Sequence, residues 1–218
     1  MLNQKRDYLP GLIPCAFLIL LALSSAALPA SQSPNTFPLE LDHVFIWVTK
    51  GAPEAKALED AGLQMLGEIS KHTGQGTASR LFVFENAYLE LIWIDDDQAA
   101  SRNAARTAVD MVVRANWKQT KASPFGVGLH RIAGVTNPIP FQVIEYWSDW
   151  MKANTSIQFA RVVTNDKEPM YFVLPEYLAV PDAAAREKVR QTNPNHPWLV
   201  KHRLGLSKLT SARITTTE

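Results

Sequence analysis

The stretch RLFVFENAYLELIWI, from Arg80 to Ile94, predicts a β-hairpin. Two apolar runs of strand length flank the short polar turn ENA. Alternation of side chains places Glu90 on one face of the second strand, together with apolar neighbours. Burying a lone carboxylate is costly, so buried carboxylates are normally paired, hydrogen-bonded or bound to metal. Glu90 is therefore a candidate site residue, and a structural ion pair with Arg80 or Arg131 is the alternative.

Upstream of the hairpin the pattern is a strand, a helix and a short strand. The run LDHVFIWV (Leu41–Val48) predicts a buried strand, and KGAPEAKALEDAGL predicts a helix that ends at Gly62. QMLGEIS is a short strand candidate, and HTGQGTAS is a turn-rich loop. Within the first strand His43 shares a face with Phe45 and Trp47. It is either a metal ligand or a hydrogen-bonded core histidine.

Downstream of the hairpin a second unit repeats the order strand, helix, strands. Residues 96–122 begin acidic and end basic, which predicts a long connecting helix. SPFGVGLHRI predicts a strand, and the amphipathic PIPFQVIEYWSDWMKA (residues 138–153) predicts a helix. SIQFARVV, EPMYFVLPEY and SKLTSARITTT are the later strand candidates. In SPFGVGLHRI, His130 shares a face with Gly126 and Gly128, which leave room for another group to approach.

These segments resemble the vicinal-oxygen-chelate superfamily, and more narrowly its glyoxalase-like branch. The resemblance rests on LDHVFIWV, GAPEAKALEDAGL, HTGQGTASRLFVFENAYLELIWI and the late NHPWLVKHRLGLSKLTSARI. It implies an α+β fold in which paired βαβββ modules form a cup-shaped mixed sheet with flanking helices. The glyoxalase-like domain then covers residues 39–218, with a first module at 39–95 and a second at 123–218.

The resemblance also implies a divalent metal in the cup. By motif position the ligands are His43, Glu90 and His130, with a pocket-wall or surface position as the alternative for His130. Imidazole and carboxylate ligands suit Zn, Ni, Fe or Mn without selecting one. In related enzymes the metal polarises vicinal oxygens and the glutamate shuttles a proton, so Glu90 is also the catalytic candidate. The last predicted strand offers no further ligand before Glu218, which leaves Glu176 as a substitute.

The glycine-rich loop supplies the candidates for substrate binding. His72 opens the loop and suits a pocket rim, with a solvent-exposed turn residue as the alternative. Thr77, Ser79 and Arg80 could hold a carbonyl or carboxylate, and the Arg80 guanidinium offers a bidentate fork for an anion. A surface arginine at the start of a strand is the alternative for Arg80.

Two functions follow from the resemblance. One is a metal-dependent lyase, isomerase or dioxygenase acting on a small substrate with vicinal oxygens. The alternative is a metal-free protein of the bleomycin-resistance kind, which binds or sequesters a small molecule in the same cup. A third interpretation is a retained fold with a structural His43–Glu90 pair. A small molecule is the expected partner and a homodimer is expected, whereas the formal net charge of +1 gives no basic field for nucleic acid.

The N-terminal segment predicts export. Lys5 and Arg6 precede an apolar run and a small-residue exit, which is the order of a signal peptide over residues 1–30, with a linker at 31–38. The protein would then be secreted or periplasmic, with an uncleaved membrane anchor as the alternative. Cys15 is the only cysteine, so the mature chain would lack a thiol nucleophile and any disulfide.

Overall fold

The structure, a computed structural model, describes residues 37–215. The signal peptide predicted at 1–30 and most of the predicted linker lie outside the described residues. The strands are β1 (Leu39–Trp47), β2 (Ser70–His72), β3 (Thr77–Val83), β4 (Tyr88–Ile94), β5 (Phe125–Arg131), β6 (Val143–Tyr146), β7 (Ile157–Ala160) and β8 (Met170–Val173). The helices are α1 (Ala55–Asp60), α2 (Asp97–Arg106), α3 (Met111–Ala115), α4 (Trp117–Thr120) and α5 (Ala183–Thr192).

The strands form one open, mixed sheet in the order β2-β3-β4-β1-β5-β8-β7-β6. In the first module β1 runs parallel to β4, and in the second β5 runs parallel to β8. The two modules join where β1 pairs with β5 in antiparallel orientation. This arrangement confirms the predicted α+β fold of paired modules around a cup-shaped sheet.

The hairpin predicted from Arg80 to Ile94 is present as β3 and β4. Val83 pairs with Tyr88 across the turn, and the Phe84 amide donates to the Ala87 carbonyl at 2.8 Å. On one face of the first module the alternate side chains Ala78, Phe82, Leu91 and Trp93 pack with Ala55 of α1. The opposite face carries the side chains that build the cup.

The connection between the modules differs from the single helix predicted for residues 96–122. Three short helices occupy it instead, α2, α3 and α4. Thr107 has extended backbone after α2, and Asp110 then accepts hydrogen bonds from the Val112 and Val113 amides at 2.9 and 3.1 Å. Because the Asp110 side chain caps the start of a new helix, the segment divides into separate helices. The distribution of charge over residues 96–122 does not reveal this division.

The helix predicted at 138–153 is wrong. The segment forms the edge strand β6, which pairs with β7, followed by turns. Pro138 and Pro140 cannot donate a helical hydrogen bond, and the β-branched and aromatic residues after them suit a strand.

The strand predicted at the C-terminus is also wrong within the described residues. Residues 193–215 have no helix or strand and lie along the first module. The Leu204 amide donates to the Gly62 carbonyl at 3.4 Å, and the Asn86 side chain bonds the backbone of Leu209 twice at 2.9 Å. Among residues 37–215, no helix combines the length and apolarity that crossing a membrane requires.

Candidate functional site

A cavity of about 220 Å³ lies on the cup face of the sheet. Its wall is mainly aromatic, with rings from Phe45, Trp47, Tyr88, Tyr146, Trp150, Phe159, Phe172 and Trp198. The histidines and the carboxylate that line it are His43, His72 and Glu90, all from the first module. A largely apolar pocket with a few convergent polar groups is the usual form of a small-molecule site.

His43 and Glu90 face each other in this cavity from the adjacent strands β1 and β4. The His43 Nδ1–H donates to Asp42 Oδ1 at 2.7 Å, and His43 Nε2 lies 3.6 Å from Glu90 Oε2. The His43 ring stacks on Tyr88 with centroids 4.3 Å apart. His43 is therefore a buried histidine with one satisfied nitrogen, whose second nitrogen is directed at a carboxylate that is only 7% exposed.

Gly126 and Gly128 leave room on β5, as their spacing predicts, but β1 side chains fill it. A Cβ at Gly128 would collide with the His43 ring, and one at Gly126 would collide with the Phe45 ring. The glycines thus let two rings of β1 lie flat against the neighbouring strand. They do not make space beside His130.

His130 lies outside the cavity. The register of β1 against β5 shifts between Leu41 and His43, so that Asp42 is an extra residue of β-bulge type. Asp42 is fully buried and accepts from His130 Nδ1 at 3.1 Å and from the Val180 amide at 2.6 Å. The second nitrogen of His130 bonds the Glu40 carboxylate at 2.9 Å. His130 therefore contacts Asp42 from outside the cavity and does not lie beside His43 and Glu90.

This cluster shifts two pKa values. Burial alone would raise the pKa of Asp42, but the hydrogen bonds from His130 and His43 hold it below its usual value. The hydrogen bond to Asp42 raises the pKa of His130, which outweighs the lowering by burial, and Glu40 adds to the rise. Both shifts favour an ionised Asp42 beside a protonated His130.

A pH dependence of folding follows from the raised pKa of His130. Such a group contributes stability that is fully present below its unfolded pKa of about 6.5 and is lost as pH rises through the folded pKa. The loss of unfolding free energy caused by His130→Gln is expected to be larger at about pH 6 than at about pH 9. Urea unfolding of both proteins at the two pH values measures it, and an equal loss at both would contradict the assignment.

The predicted substrate-binding residues separate. His72 lines the cavity, and burial lowers its pKa, so its ring is neutral at pH 7. Thr77 lies behind it, with Oγ1 2.9 Å from His72 Nδ1 and 2.8 Å from the donor Nε2 of Gln75. Arg80 is on the opposite face of β3, where Nη1 contacts the Met65 sulfur at 3.6 Å. Of the predicted set, His72 and Ser79 line the cavity, whereas Thr77 and Arg80 do not.

The comparison with known protein families gives a match that spans both modules. The model of the glyoxalase-like domain matches residues 41–217. The chain belongs to the glyoxalase-like domain family. The match covers both modules and confirms the resemblance to the vicinal-oxygen-chelate superfamily. A search of curated proteins finds no match.

Two solved structures are similar to this glyoxalase-like protein at low identity. A hypothetical protein from Staphylococcus aureus is 14% identical over 71% of this chain, with a TM-score of 0.41. The match spans 64% of the Staphylococcus protein. A hypothetical protein from Bacillus halodurans C-125 is 13% identical over 62% of this chain and 92% of its own, with a TM-score of 0.40.

The donor set does not fit the divalent metal that the superfamily implies. Protein sites for such ions use at least three side-chain ligands. Within residues 37–215, no group of three or more histidine, cysteine, aspartate or glutamate side chains is placed to hold an ion. His43 and Glu90 are close together, but both nitrogens of His130 are used by carboxylates. Glu176 begins a 3₁₀ turn outside the cavity.

One residue of the glyoxalase-like site was not predicted. Asp42 orients His43, and its signal was a carboxylate inside the apolar run LDHVFIWV. Ser79, a predicted ligand-binding residue, and Trp47, predicted to share the face of His43, both line the cavity. Among the described residues, Ser79 Oγ and Trp47 Nε1 have no hydrogen-bond partner.

Proposed function

We propose that this glyoxalase-like protein binds a small organic molecule in the cavity. The observation that carries the proposal is a cavity in which Ser79 Oγ, Trp47 Nε1 and the Glu90 carboxylate all lack a hydrogen bond within 3.5 Å from any described residue. Buried polar groups are normally satisfied, so several unsatisfied ones around one cavity call for an occupant. A ligand with polar atoms next to these three groups would satisfy them.

The two modules offer different surfaces to such a ligand. The second module contributes mainly apolar side chains, among them Phe159, Met170 and Phe172. Glu90 and His43 of the first module lie near Phe172, whose ring centroid is 5.3 Å from that of His43. The ligand that fits has an apolar body against the second module and a polar end against Glu90.

A second candidate function is a metal-independent proton transfer of the isomerase or lyase type. The arrangement of Asp42, His43 and Glu90 favours it. An ionised Asp42 only accepts hydrogen bonds, so His43 Nδ1 must carry a proton. In the neutral ring Nε2 is then a free base that faces the ligand beside Glu90. A base held in one tautomer next to a second base suits removal and return of a ligand proton.

The binding proposal predicts a loss of affinity in Ser79→Leu. The larger side chain removes Oγ and fills part of the cavity, so affinity for a single-ring ligand such as benzyl alcohol is expected to fall roughly tenfold or more. Isothermal titration calorimetry of wild type and variant measures it. Ser101→Leu on the exposed face of α2 is the matched control and should bind as wild type does. Unchanged affinity in Ser79→Leu would contradict binding in this cavity.

The metal content of the purified protein tests the metal dependence that the superfamily implies. Elemental mass spectrometry of protein purified without chelator gives the metal content of wild type and of Glu90→Gln. Near-stoichiometric metal in wild type that is lost in the variant would replace this proposal with a metal-dependent function. Substoichiometric metal that is equal in both supports the proposal.

We also propose that the protein is exported. The support is the order of charged, apolar and small residues over positions 1–30. N-terminal sequencing of the extracytoplasmic protein is expected to show a start after Ala27 or Ala30. An intact N-terminus in the membrane fraction would instead support an uncleaved anchor.

A further inference from the structure

We propose that the ligand of this cavity is an organic cation, an amine attached to an apolar or aromatic body. The inference rests on the proposed function, since it names the chemical class of the molecule that the cavity binds. Two observations carry it: the sign of the charge in the cavity and the aromatic rings that line the same cavity.

The cavity has a carboxylate and, among the described residues, no lysine or arginine along its wall. Asp42, behind His43, is satisfied by three donors within 3.1 Å. Glu90 has only His43 Nε2 at 3.6 Å, which is longer than a hydrogen bond. The charge of Glu90 is therefore the one that a ligand would neutralise. A carboxylate or phosphate ligand would face that charge with no basic side chain to hold it.

Aromatic rings line the cavity that contains this carboxylate. Tyr88 precedes Glu90 by two positions on the same face of β4, and the Trp198 ring meets Tyr88 edge-on with centroids 5.8 Å apart. Trp150 also lines the cavity and packs against His72 with centroids 5.0 Å apart. Ring faces attract a desolvated cation.

A matched ligand series tests the inference on the intact chain. Benzylamine, benzyl alcohol and benzoate share one ring and differ in charge, and calorimetry at neutral pH measures each affinity. Benzylamine is expected to bind at least tenfold more tightly than benzyl alcohol, and benzoate should show no binding. In Glu90→Gln the preference for benzylamine over benzyl alcohol should vanish.

Glu85→Gln is the control, because Glu85 is an exposed carboxylate in the turn before β4 and does not line the cavity. It should keep the preference for benzylamine. Three outcomes would each overturn the cation inference alone. In wild type these are benzyl alcohol binding as tightly as benzylamine, or strong binding of benzoate. In Glu90→Gln it is a preference for benzylamine that persists. If none of the three ligands binds wild type, the proposed binding function fails and the inference falls with it. The wild-type ranking decides the matter even if Glu90→Gln does not fold.

Discussion

Arg114→Met is expected to lower the free energy of unfolding by about 3–5 kcal/mol. Arg114 lies on α3 and is only 1% exposed. Its guanidinium donates to four backbone carbonyls in the turn between β7 and β8, those of Val163, Asn165, Asp166 and Glu168, at 2.7 to 3.4 Å. Methionine fills similar space without a donor, so these carbonyls lose their partner in a partly buried turn.

Urea unfolding followed by circular dichroism measures the effect. Arg131→Met is the control, because exposed Arg131 donates to a single carbonyl, that of Asn137, at 3.0 Å. Its effect should stay below about 1 kcal/mol. Comparable losses in both variants would show that the four carbonyls find other donors and that Arg114 does not hold the turn.

Asp42→Ala is expected to cost a similar amount, about 3–5 kcal/mol. The change removes the acceptor of three donors, those of buried His43 and Val180 and of half-buried His130. It also frees the His43 ring to change tautomer, because nothing then accepts from Nδ1. The variant should therefore lose ligand affinity as well as stability.

The same unfolding experiment provides the control for Asp42. Asp60→Ala removes an exposed carboxylate of α1 that pairs only with Lys56 and should change the free energy by less than about 0.5 kcal/mol. Nitrogen-15 NMR of the His43 ring distinguishes its tautomers. An unchanged tautomer and full stability in Asp42→Ala would show that Asp42 does not position His43.

The fold could be predicted where the signal was local. The β3–β4 hairpin and the faces of β1 and β4 follow from alternation, which depends on a few neighbouring residues. The segment 138–153 was assigned wrongly because its apolar spacing fits a helix as well as a strand. Its pairing with β7 is a contact between distant parts of the chain, which no local period encodes.

The candidate site could be predicted in part. The resemblance placed His43 and Glu90 in one site, and the structure places their side chains 3.6 Å apart. His130 does not join them, because the extra residue at Asp42 shifts the strand register just where the two strands meet. Alternation assumes an unbroken register, so it cannot place the side chain of a bulged residue such as Asp42.

The division of the cavity between the modules has a consequence for divergence within the family. The ionisable groups Glu90 and His43 and the apolar wall around Phe159 and Phe172 come from separate stretches of chain. Substitutions on β7 and β8 can therefore change which molecules fit the cavity without altering Glu90 and His43. A combinatorial library confined to Ile157, Phe159, Met170 and Phe172 would explore new ligand selectivity while both ionisable residues stay unchanged.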